Sequence, residues 1–231
     1  MLLAAEQPAM RVGLISDVHG NRIALEAVLD DMPAVDELCC AGDVVGYNPW
    51  PADCVAELRE RDVATVMGNH DAAVVEGTGF RFNRMAQAGV EHARSQLSEG
   101  HLEWLASLPT ERLECDGRLK LVHGHPADPD RYTRYTYPRE FSPRLLGEED
   151  VLVLGHTHVQ GVSRYAEGIV VNPGSVGQPR DDDPKAAYAV VDLEAMDVET
   201  HRVAYDIDTV QAAVADAGLP ERIGTRLERG E

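Results

Sequence analysis

The order of apolar and polar positions divides the chain into short alternating segments. Arg11 to Ser16, Glu37 to Ala41 and Val63 to Met67 are apolar runs of strand length. Between the first two, Asn21 to Met32 sets Leu25, Val28, Leu29 and Met32 on one face at the i, i+3, i+4, i+7 spacing, which predicts a helix. Pro51 to Arg61 predicts a second helix that starts on its proline, where the missing N–H has no intrahelical partner to lose. This alternation is the sequence form of βαβ units and a largely parallel sheet.

The second half changes character. Met85 to Leu97 carries Ala86, Val90, Ala93 and Leu97 along one helical face, and Glu99 to Leu108 predicts another short helix. Strands then dominate: Arg118 to Val122, Val151 to Leu154, Gly168 to Val171, Ala187 to Leu193 and Val198 to Val203. Asp208 to Ala217 predicts a last helix, closed by Gly218 and followed by Pro220. No repeat, low-complexity tract or linker interrupts the pattern, so residues 10–231 are expected to form one domain. Residues 1–9 read as a flexible tail, and Met10 directly precedes the first strand as a second candidate start. An α/β fold of two packed sheets with helices outside accommodates this many strands.

Composition narrows the class. The 231 residues are 44% hydrophobic but only 5% aromatic, so the core must rest on Val, Leu, Ala and Ile. No apolar run approaches the roughly 20 residues of a membrane span, and the start lacks the basic n-region of a signal peptide, so a cytoplasmic location is expected. The four cysteines form no Cys-x-x-Cys pair, and Cys39 and Cys40 as strand neighbours point to opposite faces; reduced buried thiols are expected. The net charge of −19 argues against nucleic acid as a partner, because such binding needs a basic patch. It also fits a salt-adapted surface, whose self-repulsion concentrated salt screens.

Five short motifs carry candidate chemistry: Asp17-Val18-His19, Gly42-Asp43, Gly68-Asn69-His70-Asp71, His123-Gly124-His125 and Gly155-His156-Thr157-His158. Each follows a predicted strand, and ligands of α/β sheets bind at the carboxyl ends of strands. Asp, His and Asn without Cys suit Mn²⁺, Fe, Zn²⁺, Co²⁺ or Ni²⁺. Asp-x-His and His-x-His put two ligands on one side of an extended segment. The lone carboxylate of Asp43 has two oxygens with which to bridge two ions.

This ordered set resembles the calcineurin-like metallophosphoesterase superfamily. The contexts Ser16-Asp17-Val18-His19-Gly20-Asn21, Gly42-Asp43-Val44-Val45-Gly46-Tyr47-Asn48-Pro49 and Asn172-Pro173-Gly174-Ser175-Val176-Gly177-Gln178-Pro179 are similar to its small prokaryotic phosphodiesterase branch. The resemblance implies a four-layer α/β/β/α sandwich with a two-metal site at one edge. One divalent ion is expected on Asp17, His19, Asp43 and His158. The other is expected on Asp43, Asn69, His123 and His156, with Asp43 bridging, His70 as catalytic acid and Mn²⁺ as the leading metal. In-line attack on phosphorus by a hydroxide shared between the ions, with inversion, is the implied mechanism. One departure stands out. In phosphatase relatives an Asp near the second motif orients the catalytic His, and here the stretch reads Asp43-Val44-Val45-Gly46, so that carboxylate is missing.

Further residues carry smaller expectations. Asn21, His125 and Arg180 are candidate substrate contacts, although Asn21 also reads as a helix cap. Tyr132, Tyr135 and Tyr137 with Arg131, Arg134 and Arg139 form a basic-aromatic cluster between two motifs. It reads first as a surface loop packed by its own rings, and second as a cleft wall that stacks a base. The leading function is hydrolysis of small-molecule phosphodiesters, with homo-oligomers allowed. The alternatives are a nuclease or a protein phosphatase of the same superfamily, or a non-catalytic metal-bound scaffold. Charge argues against the first and the missing carboxylate against the second. Retention of His70 and of all seven ligand positions argues against the third. If the acidic surface is a salt adaptation, the melting temperature rises between low and multimolar potassium chloride; thermal unfolding at both salts checks this, and an unchanged value refutes it.

Overall fold

The computed structural model describes residues 10–77 and 82–231; the expected tail at 1–9 lies outside the described residues, as does part of the segment between His70 and Arg84. Two five-stranded sheets face each other. The first runs in the order β10 (Asp197–Val203), β9 (Ala186–Asp192), β1 (Arg11–Ile15), β2 (Glu37–Cys40), β3 (Ala64–Thr65), with β1, β2 and β3 parallel. The second runs β4 (Glu111–Glu114), β5 (Leu119–Val122), β6 (Val151–Val153), β8 (Ile169–Asn172), β7 (Gly161–Arg164), with β5, β6 and β8 parallel.

Strand alternation sorts side chains between two cores. Val12 and Leu14 of β1, Cys39 of β2, Leu119 and Leu121 of β5, and Val151 and Val153 of β6 meet between the sheets. Ile15, Cys40, Tyr188 and Val190 point the other way, into a core shared with α1 (Arg22–Asp31), α2 (Pro51–Glu60), α3 (Asn69–Glu76), α4 (Arg84–Gln96) and α5 (Glu99–Ser107). Adjacent Cys39 and Cys40 thus lie in different cores, and all four thiols are free. On the outer face of the second sheet, Leu152, Leu154 and Val170 are covered by Phe141, Leu145 and Leu146 from a segment carrying two 3₁₀ turns, Pro138–Glu140 and Pro143–Leu145. Helices α6 (Ile207–Asp216) and α7 (Arg222–Thr225) pack Val210, Val214 and Ile223 beside Tyr47 and Ala86. Among the described residues, no helix is long and apolar enough to cross a membrane.

Four elements were absent from the sequence pattern. Three of the four residues of β4 are charged, and β7 at the opposite edge reads as polar too. Helix α3 is buried from Asn69 to Val74, so it has no polar face to mark a period. Helix α7 has four residues, too few to show one. Leu14 is fully buried between the sheets, where little can collapse into the space it fills. Leu14→Ala is expected to cost roughly 2–5 kcal/mol, read from the urea midpoint at an unchanged m-value; a loss below about 1 kcal/mol would contradict this packing.

Candidate metal centre

All five motifs leave parallel strands of one sheet or the other. Asp17 and His19 follow β1, Asp43 follows β2, Asn69 follows β3, His123 follows β5, and His156 and His158 follow β6. Backbone bonds tie the turns together: Asp17 N–H donates to Gly42 O at 2.9 Å, His19 N–H to Asp43 O at 2.9 Å, and Gly155 N–H to His123 O at 3.0 Å. Asp17, His19, Asp43, His156 and His158 all have φ between 49° and 67°, the left-handed region that non-glycine residues rarely adopt. Such strain persists only where surroundings over-determine it. Here Ser175 Oγ donates to Asp17 O at 2.7 Å, Asn48 Nδ2 to His19 O at 3.1 Å, and Asn172 Nδ2 to Gly155 O at 2.8 Å. The Asn172–Ser175 loop therefore shapes the turns through its hydrogen bonds.

Three imidazoles are locked in one tautomer. Nδ1 of His19 lies 3.1 Å from Val45 O, Nδ1 of His123 lies 2.7 Å from Ala41 O, and Nδ1 of His158 lies 2.6 Å from Gln178 O. A carbonyl accepts only, so each Nδ1 carries the proton and, in the neutral ring, each Nε2 presents a lone pair. Those lone pairs converge on further acceptors. His19 and His158 Nε2 are 3.1 Å apart, and His158 Nε2 is 3.2 Å from Asp17 Oδ1. His123 Nε2 is 3.3 Å from Asp43 Oδ2 and 3.1 Å from Asn69 Oδ1, while His19 Nε2 is 3.6 Å from Asp43 Oδ2. Asp17 Oδ1 and His156 Nε2 are buried without a hydrogen-bond partner.

With the three rings neutral, this is a knot of acceptors without a donor, which fits a cation. Atoms able to ligate a metal gather into the groups Asp17, His19, His158, then His19, Asp43, His70, then Asp43, His123, His156, with the atoms of each group within 4.8 Å of one another. Without an ion, protons must balance the charge. Burial pushes Asp17 up to about 7. Burial would raise Asp43 too, but the imidazoles of His123 and His70 outweigh it and hold that carboxyl well below its usual range. Burial works to lower His123, yet the Asp43 carboxylate beside it prevails and pushes it up to about 9. Burial carries His156 down to about 3, and His19 and His158 well below the usual imidazole value.

His70 sits beside this group. Its N–H donates to Asp43 Oδ1 at 2.8 Å, and its ring packs against His19, Tyr47 and Phe82 with centroids 4.7 Å away in each case. Nδ1 is buried and has no partner. A Cβ at Gly46 would stand 2.4 Å from that nitrogen, and Gly46 has φ +98°, so the position is closed to an orienting side chain on two counts. The adjacent Asp71 is turned away, accepting from Val45 N–H at 3.1 Å and Gly68 N–H at 2.9 Å; it ties the second motif to the third. Burial lowers His70 to about 4.

A cavity of about 120 Å³ opens over these residues, lined by Asp43, Asn69, His70, His156 and His158 together with Tyr47, Phe82, Tyr135 and Arg180. Arg180 donates to Gln178 Oε1 at 2.7 Å and to Tyr47 Oη at 3.3 Å, and its Nε is buried without a partner. Asn21 lies outside the lining: Oδ1 caps α1 by accepting from Ala24 N–H at 3.2 Å, and Nδ2 donates to Gly177 O at 3.0 Å. His125 also lies outside, its Nδ1 accepting from Ala127 N–H at 3.1 Å. Sequence reasoning gave no role to Tyr47 or Phe82 and ranked the base-stacking reading of the tyrosine cluster second. Tyr135 nonetheless stands in the cavity wall.

Residues 10–196 match the calcineurin-like phosphoesterase superfamily domain. The chain belongs to the calcineurin-like phosphoesterase superfamily. A metallophosphoesterase from Sphaerobacter thermophilus is 37% identical, with a TM-score of 0.83 over 96% of this chain and 100% of that one. An uncharacterized protein of Methanocaldococcus jannaschii is 32% identical over 95% of this chain and 98% of its own length. The Escherichia coli phosphodiesterase YfcE is 28% identical over 82% of this chain and 91% of its own. Membership in this superfamily makes the chain a metal-dependent phosphoric ester hydrolase, and divalent ions are implied for it. The acceptor-only knot is what they would satisfy.

The same knot generates a prediction. An ion held about 100-fold above its dissociation constant stabilises by about 2.7 kcal/mol, or roughly 5–10 °C for a chain of this size. Adding Mn²⁺ to chelator-treated protein is expected to raise the melting temperature by that order, and less so in His158→Ala and His123→Ala. A melting temperature indifferent to every divalent ion would reject the site.

Proposed function

We propose that this protein hydrolyses small-molecule phosphodiesters at a two-metal centre. The observation that carries the reading is the convergence of three tautomer-locked Nε2 lone pairs on the carboxylates of Asp17 and Asp43, with His156 Nε2 left unpartnered beside them. Asp17, His19, Asp43 and His158 would hold one ion; Asp43, Asn69, His123 and His156 would hold the other. Divalent ions bound there supply Lewis acidity and lower the pKa of water toward neutrality. The phosphodiesterase name of the Escherichia coli relative supports an ester of this kind.

The remaining tasks fall to this chain's side chains. Arg180 offers its unpartnered Nε to a phosphoryl oxygen, and its partners Tyr47 and Gln178 hold it in the cavity wall. Burial lowers His70 to about 4, which favours its neutral form. An anionic phosphoryl group favours the charged imidazole while bound cations oppose it, and the charged form is the one that would serve a leaving oxygen. The net charge of −19 turns away long polyanions, which favours small esters over nucleic acid.

Hydrolysis of bis(p-nitrophenyl) phosphate with added Mn²⁺, compared across variants, tests this reading. Wild type is expected to turn the diester over and to stop on chelation, and Asp43→Ala is expected to be inactive. His70→Ala should lose about 10²–10⁴-fold in kcat on diesters with poor alkoxide leaving groups, and less with p-nitrophenolate, which needs no proton. Folded, metal-loaded wild-type protein that turns over no phosphoester would overturn the proposal.

A further inference from the structure

The tyrosines of the cluster differ in their surroundings, although the rings of Tyr135 and Tyr137 lie near-parallel with centroids 6.3 Å apart. Tyr132 is buried, its hydroxyl donating to Met67 O at 3.2 Å and its ring set edge-on to His123. Tyr137 lies under the Arg139 guanidinium, 4.8 Å from the ring centroid. Tyr135 differs from both. Its ring stacks on His156 with centroids 4.2 Å apart and planes 20° apart, yet it remains 52% exposed. Among the described residues, the large apolar side chains left exposed are Leu113 and Tyr135, and of the two Tyr135 lines the cavity.

We propose that Tyr135 is a specificity-determining residue whose ring stacks a planar aromatic substituent of the ester, a nucleobase; this rests on the phosphoesterase reading above. Contact with His156 fixes the ring at the rim of the cavity, so the platform is set before ligand arrives. The cavity of about 120 Å³ accommodates a phosphate group, and the rest of a nucleotide must lie across its rim, where Tyr135 stands. Arg180 on the same lining offers a cation to the phosphate. Phosphate and ring are thereby recognised by separate side chains. An aromatic face half in water beside an anion-binding pocket recovers apolar burial when a base covers it. The net charge of −19 disfavours a polynucleotide as this ligand.

The test compares AMP with ribose 5-phosphate, which share the sugar and phosphate and differ in the base. Binding to Mn²⁺-loaded protein is measured by calorimetry, and inhibition is measured against bis(p-nitrophenyl) phosphate. AMP is expected to bind tighter by roughly 5- to 150-fold, the range of one base–aromatic stack. Tyr135→Leu keeps His156 covered but removes the ring; it should abolish the ratio while ribose 5-phosphate binds as before. Tyr135→Phe should retain it. Equal affinities in wild type, a preference that survives in Tyr135→Leu, or no AMP binding by protein that hydrolyses the diester would each overturn the proposal. Absence of any ester turnover would instead count against the phosphoesterase reading, while the calorimetric ratio still decides the role of Tyr135.

Discussion

Three backbone carbonyls decide what this protein can do. Val45 O, Ala41 O and Gln178 O each take the Nδ1 proton of a buried histidine, and so point a lone pair of His19, His123 and His158 toward carboxylate oxygens. A buried acceptor without a donor costs free energy, and several facing one another cost more. The fold therefore has a deficit at this point that protons meet poorly and cations meet well. Asp17 raised to about 7 and His123 raised to about 9 are the same deficit seen from the side of the acids and bases. Burial drives the first and the Asp43 carboxylate the second.

The sheets hold those carbonyls and the candidate ligands in register. Parallel strands β1, β2 and β3 in one sheet and β5, β6 and β8 in the other end beside one another, and each end is followed by a tight turn. Left-handed backbone at five candidate ligand positions is tolerated because neighbouring loops bond across the gap between the sheets. Val176 N–H to Ser16 O and Gly177 N–H to Asp17 O, both at 3.0 Å, are examples from the loop after β8. Close approach also explains the glycine before Asn69: a Cβ at Gly68 would stand 2.1 Å from Asp43 Oδ1.

Much of this was legible in the sequence. Strand–helix alternation gave the elements that bury one clear face, including α1 with its Asn21 cap and α2 with Pro51 at its first position. Spacing pointed to the motif residues, but Asp17, His19, His156 and His158 are left-handed rather than extended, so strand alternation is not what brings each pair together. What was not legible depends on distance in space. Helix α3 shows no period because both its faces are buried, and β4 hides its pairing with β5 behind charges. The wall of the cavity is assembled from Tyr47, Phe82, Tyr135 and Arg180, which share no motif. The loop holding Tyr135 has the composition of an ordinary surface segment, and its contact with His156 across 21 positions carries no mark in the sequence.

Gly46 links the sequence departure to the behaviour of His70. A carboxylate hydrogen-bonded to Nδ1 would hold the ring and raise its pKa before substrate arrives. Here the backbone of Gly46 fills the space next to that nitrogen, the ring is held by packing on Tyr47 and Phe82, and the backbone N–H of His70 bonds to Asp43. Packing fixes the plane of an imidazole but leaves its protonation to the local field. Burial lowers His70, and the Asp43 carboxylate only partly offsets it. The next negative charge to enter is the ester. If His70 serves as the proton donor proposed above, its protonation follows the charges brought into the cavity, negative on the ester and positive on any bound cations, rather than a fixed carboxylate partner.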